Sequence, residues 1–480
     1  MDLHDLTTIL PFLIIIGWAC TLLIVDLFIP RDKKGLTAFL AAAGLVAGLA
    51  AAVQQLGMHD EGFGGMIIVD GYTAVLQILF LGVGLFAVMQ SYDYIKRKGI
   101  ERGEYYILLL FTLSGMMLMA NAGDLIVVFL ALELLSLPLY ILAGFARPNL
   151  QSEEAAIKYF LLGAFASGFV VYGIALVFGA TMTTSLAGIV AAAKTPSVLL
   201  LLGGGMFLVG LGFKVAAVPF HMWTPDVYQG APSAVTAFMS VGAKAGGFAA
   251  LLRVFVTAFP ELASYWGPLA MWIAALTMAW GNIAAIAQSN IKRMLAYSSI
   301  ANAGYILIAL PAAANSAVAP EAIRAALFYL IGYAFTNLGA WAVVLTLERK
   351  EGGGLEIEDY AGLGEKQPVL ALAMAVFMLS FTGIPLTVGF VGKFYIFRAA
   401  INAGLIWLAL VGVITTLISA YYYLRVVVVM YMKSGEPQTR SEGWLKITVL
   451  LTALGTLFFG VLPGLLLEFA GQAQFLSYIP

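Results

Sequence analysis

Charge is what this sequence has least of. Only 11% of its 480 residues are charged, 25 Lys or Arg and 26 Asp or Glu. A soluble domain carries about a quarter, so a globular enzyme of this length is excluded. The net charge of −1 leaves no basic surface for nucleic acid. Cys20 is the only cysteine, which excludes disulfides, thiolate zinc sites and iron–sulfur clusters held by this chain alone. Three histidines, His4, His59 and His221, are too few for a bis-histidine haem stack. What is abundant is apolar: 62% of residues are hydrophobic, and the mean hydropathy is +0.96. Apolar runs near ~20 residues recur along the whole chain, the mark of membrane-spanning helices.

Polar breaks divide the chain into 14 expected spans, at 7–29, 36–56, 69–90, 104–121, 124–146, 154–180, 200–228, 233–258, 267–288, 294–312, 321–348, 368–398, 403–432 and 446–470. The first follows acidic Asp2 and Asp5 and is too long for a cleaved signal peptide. No soluble domain is left over. The expected class is an all-α polytopic membrane protein forming one integral membrane domain.

The basic residues test that count. With the N-terminus on side one, side-two loops hold Arg31, Lys33, Lys34, Lys96, Arg97, Lys98, Arg102, Arg147, Lys292, Arg293, Arg349, Lys350, Lys366, Lys433, Arg440 and Lys446. Side one holds only Lys194 and Arg398. A missed span would scramble this parity, so the positive-inside rule places both termini outside.

An internal repeat accompanies it. Ala155–Ser167, AAIKYFLLGAFAS, resembles Ala325–Asn337, AALFYLIGYAFTN. These are spans 6 and 11, and the odd separation makes the copies run in opposite directions. Proline-interrupted segments lie at a similar offset, GFKVAAVPFHMWTPD around Pro219 in span 7 and FTGIPLTVGFVGKFY around Pro385 in span 12. Interrupted helices at matching positions of inverted halves mark a transport site. The expected organisation is three leading helices (1–103), a five-helix repeat (104–258, spans 4–8), its inverted copy (259–432, spans 9–13) and a trailing helix (433–480).

An ionisable group deep in a span is costly unless paired or hydrated. Glu133 lies nine residues past Asp124, roughly 13–14 Å deep and near the midplane. Lys214 stands five residues before Pro219, which frees a backbone carbonyl one turn back. Lys244, in SVGAKAGGF, sits among small residues that let helices and water approach. Lys393 follows the break in span 12. Burial lowers a lysine pKa and a nearby carboxylate raises it, so a row of lysines with a movable partner handles protons. Glu133 is a partner for Lys214 if spans 5 and 7 touch. His221 reads either as a relay between Lys214 and Lys244 or as a hydrogen-bonded helix histidine. Lys158, one turn inside span 6, reads either as a path residue or as a side chain snorkelling to the surface.

Arg253, Arg324, Arg398 and Arg425 lie near span ends and read as anchors or interface residues. Asp26 and Asp124 read as helix termini, and Met116, Met117 and Met119 as lipid-facing or core bulk. Tyr421–Tyr423 fits an interfacial belt. Gly203–Gly205, Gly210 and Gly212 belong to helix packing rather than a nucleotide loop. The segment Glu348–Gln367 reads as a flexible exposed connection.

The stretches GLGFKVAAVPFHMWTPDVYQGAPSAVTAFMS, LELLSLPLY, NIKRMLAYSSIANAGY and GIPLTVGFVGKFY resemble the antiporter-like, proton-translocating membrane subunits of respiratory complex I. The resemblance covers nearly the whole chain. Related cation/proton antiporter subunits share the PFH-x-W-x-P core but usually lack the VYQGAP continuation. The resemblance implies a 14-helix subunit of the membrane arm, partnered by sister antiporter-like subunits and small membrane subunits within the lipid bilayer of a cell inner membrane. It implies a midplane axis made by Glu133, Lys214, Lys244 and Lys393, with His221 and Lys158 at positions the family also implicates. It implies that this chain carries no cofactor, and that NADH, FMN, iron–sulfur clusters and quinone belong to partner subunits.

The leading expectation is therefore a subunit of a proton-pumping NADH-quinone oxidoreductase, with no redox chemistry of its own. The alternative is a subunit of a multi-subunit cation/proton antiporter. A scaffold with a vestigial polar axis is a third class, and four ionisable groups at midplane depth argue against it.

Overall fold

Polar residues start the helices. Asp70, Asp124, Asn149, Ser197 and Asn290 each accept a backbone N–H of the first turn beyond them, the exchange that makes Asp, Asn and Ser good N-caps. The apolar block behind each cap then runs on as helix, because inside a membrane every backbone group must bond within its own segment. The computed structural model describes residues 3–350 and 352–475.

Among the described residues, 13 helices are long and apolar enough to cross a membrane. They are Leu10–Phe28, Gly35–Gln54, Gly71–Arg97, Glu104–Asn121, Leu125–Ala143, Leu150–Thr181, Val198–Val215, Ser233–Ala258, Pro260–Ile286, Ile291–Ala313, Ala319–Leu347, Ile406–Met432 and Gly443–Val461. The block expected as span 12 forms two shorter helices instead, Pro368–Thr382 and Val388–Asn402. One short antiparallel ribbon, Asp60–Gly62 with Ile67–Val69, departs from the all-α expectation.

Two helices form the hub. Every residue of Ser233–Arg253 is buried, and Ala319–Leu347 is buried along nearly its whole length. By contrast Leu150–Thr181 exposes Ile157, Phe160, Leu161, Phe165 and Tyr172 along one apolar face, as a peripheral helix in lipid would. Its inner face meets Val198–Val215 through glycines. A Cβ at Gly210 would stand 2.3 Å from Val170 Cγ2 and 3.0 Å from the Ala166 carbonyl, and one at Gly203 would stand 2.8 Å from Val177 Cγ2, so these two glycines make the close approach, whereas Gly204 and Gly205 face open space.

Both proline segments are true breaks. Val198–Val215 ends four residues before Pro219, where the proline ring excludes a helical carbonyl. Ala216 turns left-handed at φ +61°, and a new helix starts at Trp223. Trp223 Nε1 stitches the break by donating to the Phe213 carbonyl at 3.0 Å. The second break runs through Gly383, at φ +86°, to Thr387. The last long helix lies directly against it, and a Cβ at Gly460 would be 2.3 Å from the Leu386 carbonyl oxygen.

Three surface readings need correction. Glu348–Gln367 is not a loose connection: Glu348, Ile357, Tyr360 and Leu363 are buried, and Asn290 bridges to Glu356. Glu351 within that segment lies outside the described residues. Arg253, read as an anchor or interface residue, is instead fully buried within the chain and pairs with Asp70 at 2.8 Å. Of the tyrosine run, only Tyr421 is exposed; Tyr422 and Tyr423 are buried.

Candidate functional site

Each deep lysine finds neutral oxygens rather than a carboxylate. Lys214, 3% exposed, donates to Ser136 Oγ at 2.8 Å and to Tyr159 OH at 3.3 Å. Tyr159 is held in turn by stacking on Trp223, with ring centroids 4.6 Å apart. The first break and the lysine before it are thereby one packed unit.

Glu133 is half-buried and accepts from Ser167 Oγ. It stands three residues from Ser136 on the same helix, so lysine and glutamate share a helix face across a hydroxyl without forming a direct ion pair. The helices carrying the two do not lie side by side; the long lysine side chain crosses the gap.

Lys244, also 3% exposed, donates to Ser299 Oγ at 2.6 Å. Tyr333 OH donates to the same oxygen at 2.9 Å. The Tyr228 ring centroid lies 5.7 Å from the ammonium, close enough for a cation–π contribution.

Lys393, 4% exposed, reaches back across the second break. It donates to the carbonyls of Phe381 at 2.8 Å and Thr382 at 3.3 Å, and lies 4.5 Å from the Tyr305 ring centroid. Those carbonyls end a helix, where the macrodipole concentrates about half a negative charge. A cation is stabilised there without any acid.

A web of neutral polar groups fills the space between Lys244 and Lys393. Asn302 donates to the Ser298 carbonyl at 2.8 Å and accepts from Tyr329 OH at 2.8 Å. Ser298 Oγ and Tyr423 OH share a bond of 2.5 Å. Tyr422 OH donates to Asn282 Oδ1 at 2.9 Å, and Asn282 donates to Tyr305 OH at 3.1 Å, which brings the web to the ring beneath Lys393. A cavity of about 10 Å³, bordered by Asn302, Tyr329, Tyr333 and Ser380, lies within it, about the size that admits one water. Of its members only Tyr422 and Tyr423 stand out in the sequence, and there they resemble an interfacial belt.

Two expected residues stand apart. Lys158, with a side chain 41% exposed, pairs with Glu154 at 2.7 Å and Asp226 at 2.8 Å, and Asp226 also pairs with Arg293. His221 lies in the first break beside Trp280. It has no hydrogen bond to Lys214 or Lys244, and its Nδ1 is buried without a partner among the described residues.

A larger cavity, about 1180 Å³, is bordered by Glu261, Glu321, Arg324, Tyr395 and Arg398. Tyr395 and Arg398 continue the helix that carries Lys393.

Residues 122–419 match the family described as NADH:quinone oxidoreductase/Mrp antiporter, TM. A protein of Chloroflexus aggregans named NADH-quinone oxidoreductase subunit N is 48% identical over 468 residues, covering 96% of this chain and 95% of the relative. A chain in respiratory complex I of Thermus thermophilus, solved with bound aureothin, is 37% identical at a TM-score of 0.82, covering 95% of this chain and 98% of that one. A chain of the Mrp complex from a Dietzia species has a TM-score of 0.86 at 22% identity, with 98% and 97% covered. That last likeness carries the fold alone.

Proposed function

Because this chain belongs to the NADH-quinone oxidoreductase subunit N family, we propose that it works as a proton-translocating subunit in the membrane arm of that complex. Partner subunits hold NADH, FMN, the iron–sulfur clusters and quinone, and pass electrons. This chain passes protons. Its partners are the sister antiporter-like subunits and small membrane subunits, and its setting is a cell inner membrane.

The observation that carries this reading is the solvation of the three buried lysines. Each is held by hydroxyls or carbonyls and none by a carboxylate, so each can release its proton without leaving a buried anion behind. Glu133 tunes Lys214 across Ser136. Lys214 exchanges with Lys244, with His221 beside the first break, and Lys158 orders the mouth near Asp226. The tyrosine–asparagine web links Lys244 to Lys393, and the larger cavity, on side one, gives Lys393 its aqueous face.

We count the paired helices Pro368–Thr382 and Val388–Asn402 as the fourteenth crossing, with inverted repeats over spans 4–8 and 9–13 and both termini on the periplasmic side. The ion pairs support this count. Arg97–Glu442, Lys98–Glu348 and Lys433–Glu358 join only side-two segments, whereas Arg253–Asp70 and Arg398–Glu321 join only side-one segments.

The test is purification of the intact complex through a tag on this chain, with reductase activity and proton uptake measured in vesicles. Co-purifying NADH–quinone reductase and a Lys244→Ala variant that no longer pumps are the expected results. Wild-type pumping by that variant overturns the assignment.

A further inference from the structure

Lys244 is enclosed by a helix with no exposed residue, so a proton needs a route to it, and its own helix is polar on one side only. Beyond Lys244, toward side one, the helix reads Ala-Gly-Gly-Phe-Ala-Ala-Leu-Leu until Arg253. Toward side two it carries Ser240, Thr236 and Ser233. The eleven helical steps from Ser233 to Lys244 span roughly 16 Å.

Neighbouring helices meet this polar side at Ser240 Oγ and at the Ser233 backbone N–H, while Ser233 Oγ is buried without a hydrogen-bond partner among the described residues. On Ala319–Leu347, residues Tyr333, Asn337 and Trp341 share one face, at spacings that return to the same side of a helix, and Glu348 follows as the C-cap. On Gly71–Arg97, residues Gln90 and Tyr94 are one turn apart. Asn337 Nδ2 donates to Ser240 Oγ at 2.6 Å, and Gln90 Nε2 donates to the Leu338 carbonyl at 2.9 Å. Tyr94 OH donates to Glu348 at 3.2 Å and accepts from Ser233 N at 3.0 Å. The outer end carries Lys98, 2.7 Å from Glu348, and Lys292, which donates to the Ala231 carbonyl at 2.8 Å.

The seam is also unsatisfied. Gln90 Oε1, Asn337 Oδ1 and Trp341 Nε1 are buried with no hydrogen-bond partner among the described residues. Buried polar groups are almost always paired with protein or with ordered water. Three unpaired ones in a row, between a buried carboxylate and a buried lysine, are not a packing accident of one residue. An apolar seam would be cheaper for stability alone.

We propose that this seam, from Glu348 through Gln90, Trp341, Asn337 and Ser240, is the inlet through which protons reach Lys244 from side two. The unpaired amide and indole atoms hold a file of water. A proton enters at the Glu348 mouth, passes along the file, and ends on the lone pair of the Lys244 amine. The proposal rests on the reading that Lys244 carries protons.

The experiment uses the intact complex carrying Asn337→Leu or Gln90→Leu, each close in volume and unable to bind water. Reductase rate, proton uptake and the solvent deuterium isotope effect are measured beside Lys244→Ala. The expected result is a fall of about tenfold in rate and pumping, equivalent to a single added barrier step, with a larger isotope effect because proton delivery limits turnover. Asn337→Ser, small and polar, restores both. If the leucine variants pump at the wild-type rate, or slow without any change in isotope effect, while Lys244→Ala is dead, the inlet is overturned and the function stands. If Lys244→Ala also pumps normally, the function falls with it. Should Asn337→Leu fail to assemble, Ser240→Val decides by the same readouts.

Discussion

Lys244 and Tyr333 both donate to Ser299 Oγ, at 2.6 and 2.9 Å. One hydroxyl thus serves two helices and uses both of its lone pairs as acceptor. Ser299→Ala strands a buried ammonium and a buried phenol together, at a cost of about 1–3 kcal/mol for each unpaired group. The expected outcome is assembled complex with proton pumping reduced at least severalfold, read by vesicle acidification. Ser299→Thr, which keeps the oxygen, preserves activity.

Lys214 depends on Ser136 and Tyr159. Ser136→Ala should impair pumping more than Tyr159→Phe, because the serine bond is shorter and lies beside Glu133. Steady-state reductase activity orders the two variants, and equal rates in both would contradict the bridging role of Ser136.

How much of this was legible follows from what charge does in an apolar run. Glu133, Lys214, Lys244 and Lys393 stand out in the sequence because hydrocarbon tolerates them only for a reason. The breaks were legible too, since Pro219 forces its helix to stop four residues earlier. Ser299, Asn302, Tyr422 and Tyr423 were not. Hydroxyls and amides are common inside membrane helices and usually bond their own backbone, as Thr277 does to the Ile273 carbonyl at 2.6 Å. Only the meeting of the Ile291–Leu307, Ala319–Leu347 and Ile406–Met432 helices turns these residues into a web, and that meeting is non-local. The segment after Glu348 looked mobile because glycines punctuate it, yet its Ile357, Tyr360 and Leu363 are spaced to pack inward.

Glu348 links stability to pH. Burial pushes its carboxyl up, but the charges of Lys292 and Lys98, with the close contact from Lys98, outweigh that and hold it below the usual glutamate value. A carboxyl with a depressed pKa adds stability above its unfolded pKa of about 4.3 and loses it as pH falls through the folded value. Thermal melts of the complex from pH 7 down to about pH 3, below the usual glutamate value, should show Glu348→Gln less stable at neutral pH and less sensitive to acid. Parallel melting curves for variant and wild type would contradict this.

Gly460 lets the last long helix touch the second break. A valine there would collide with the Leu386 carbonyl and the Thr387 backbone, neither of which can swing aside. Gly460→Val should lower the yield of assembled complex and loosen the Lys393 carbonyl site, whereas Gly464→Val, which meets open space, should not. Blue-native gels of both variants make the comparison.

Among the described residues no carboxylate pairs with Lys244 or Lys393, and this has an electrical consequence. When either lysine gains a proton, the low-dielectric interior gains a whole uncompensated charge. On the proposed reading, moving that charge sideways, from one lysine to the next along the midplane, crosses little of the transmembrane voltage. The work against the field, about 2.3 kcal/mol per charge for each 100 mV crossed in full, falls mainly on the two vertical legs that join the row to the aqueous faces. Back-pressure from an energised membrane should therefore slow entry and exit, and leave the lateral exchange between lysines little changed.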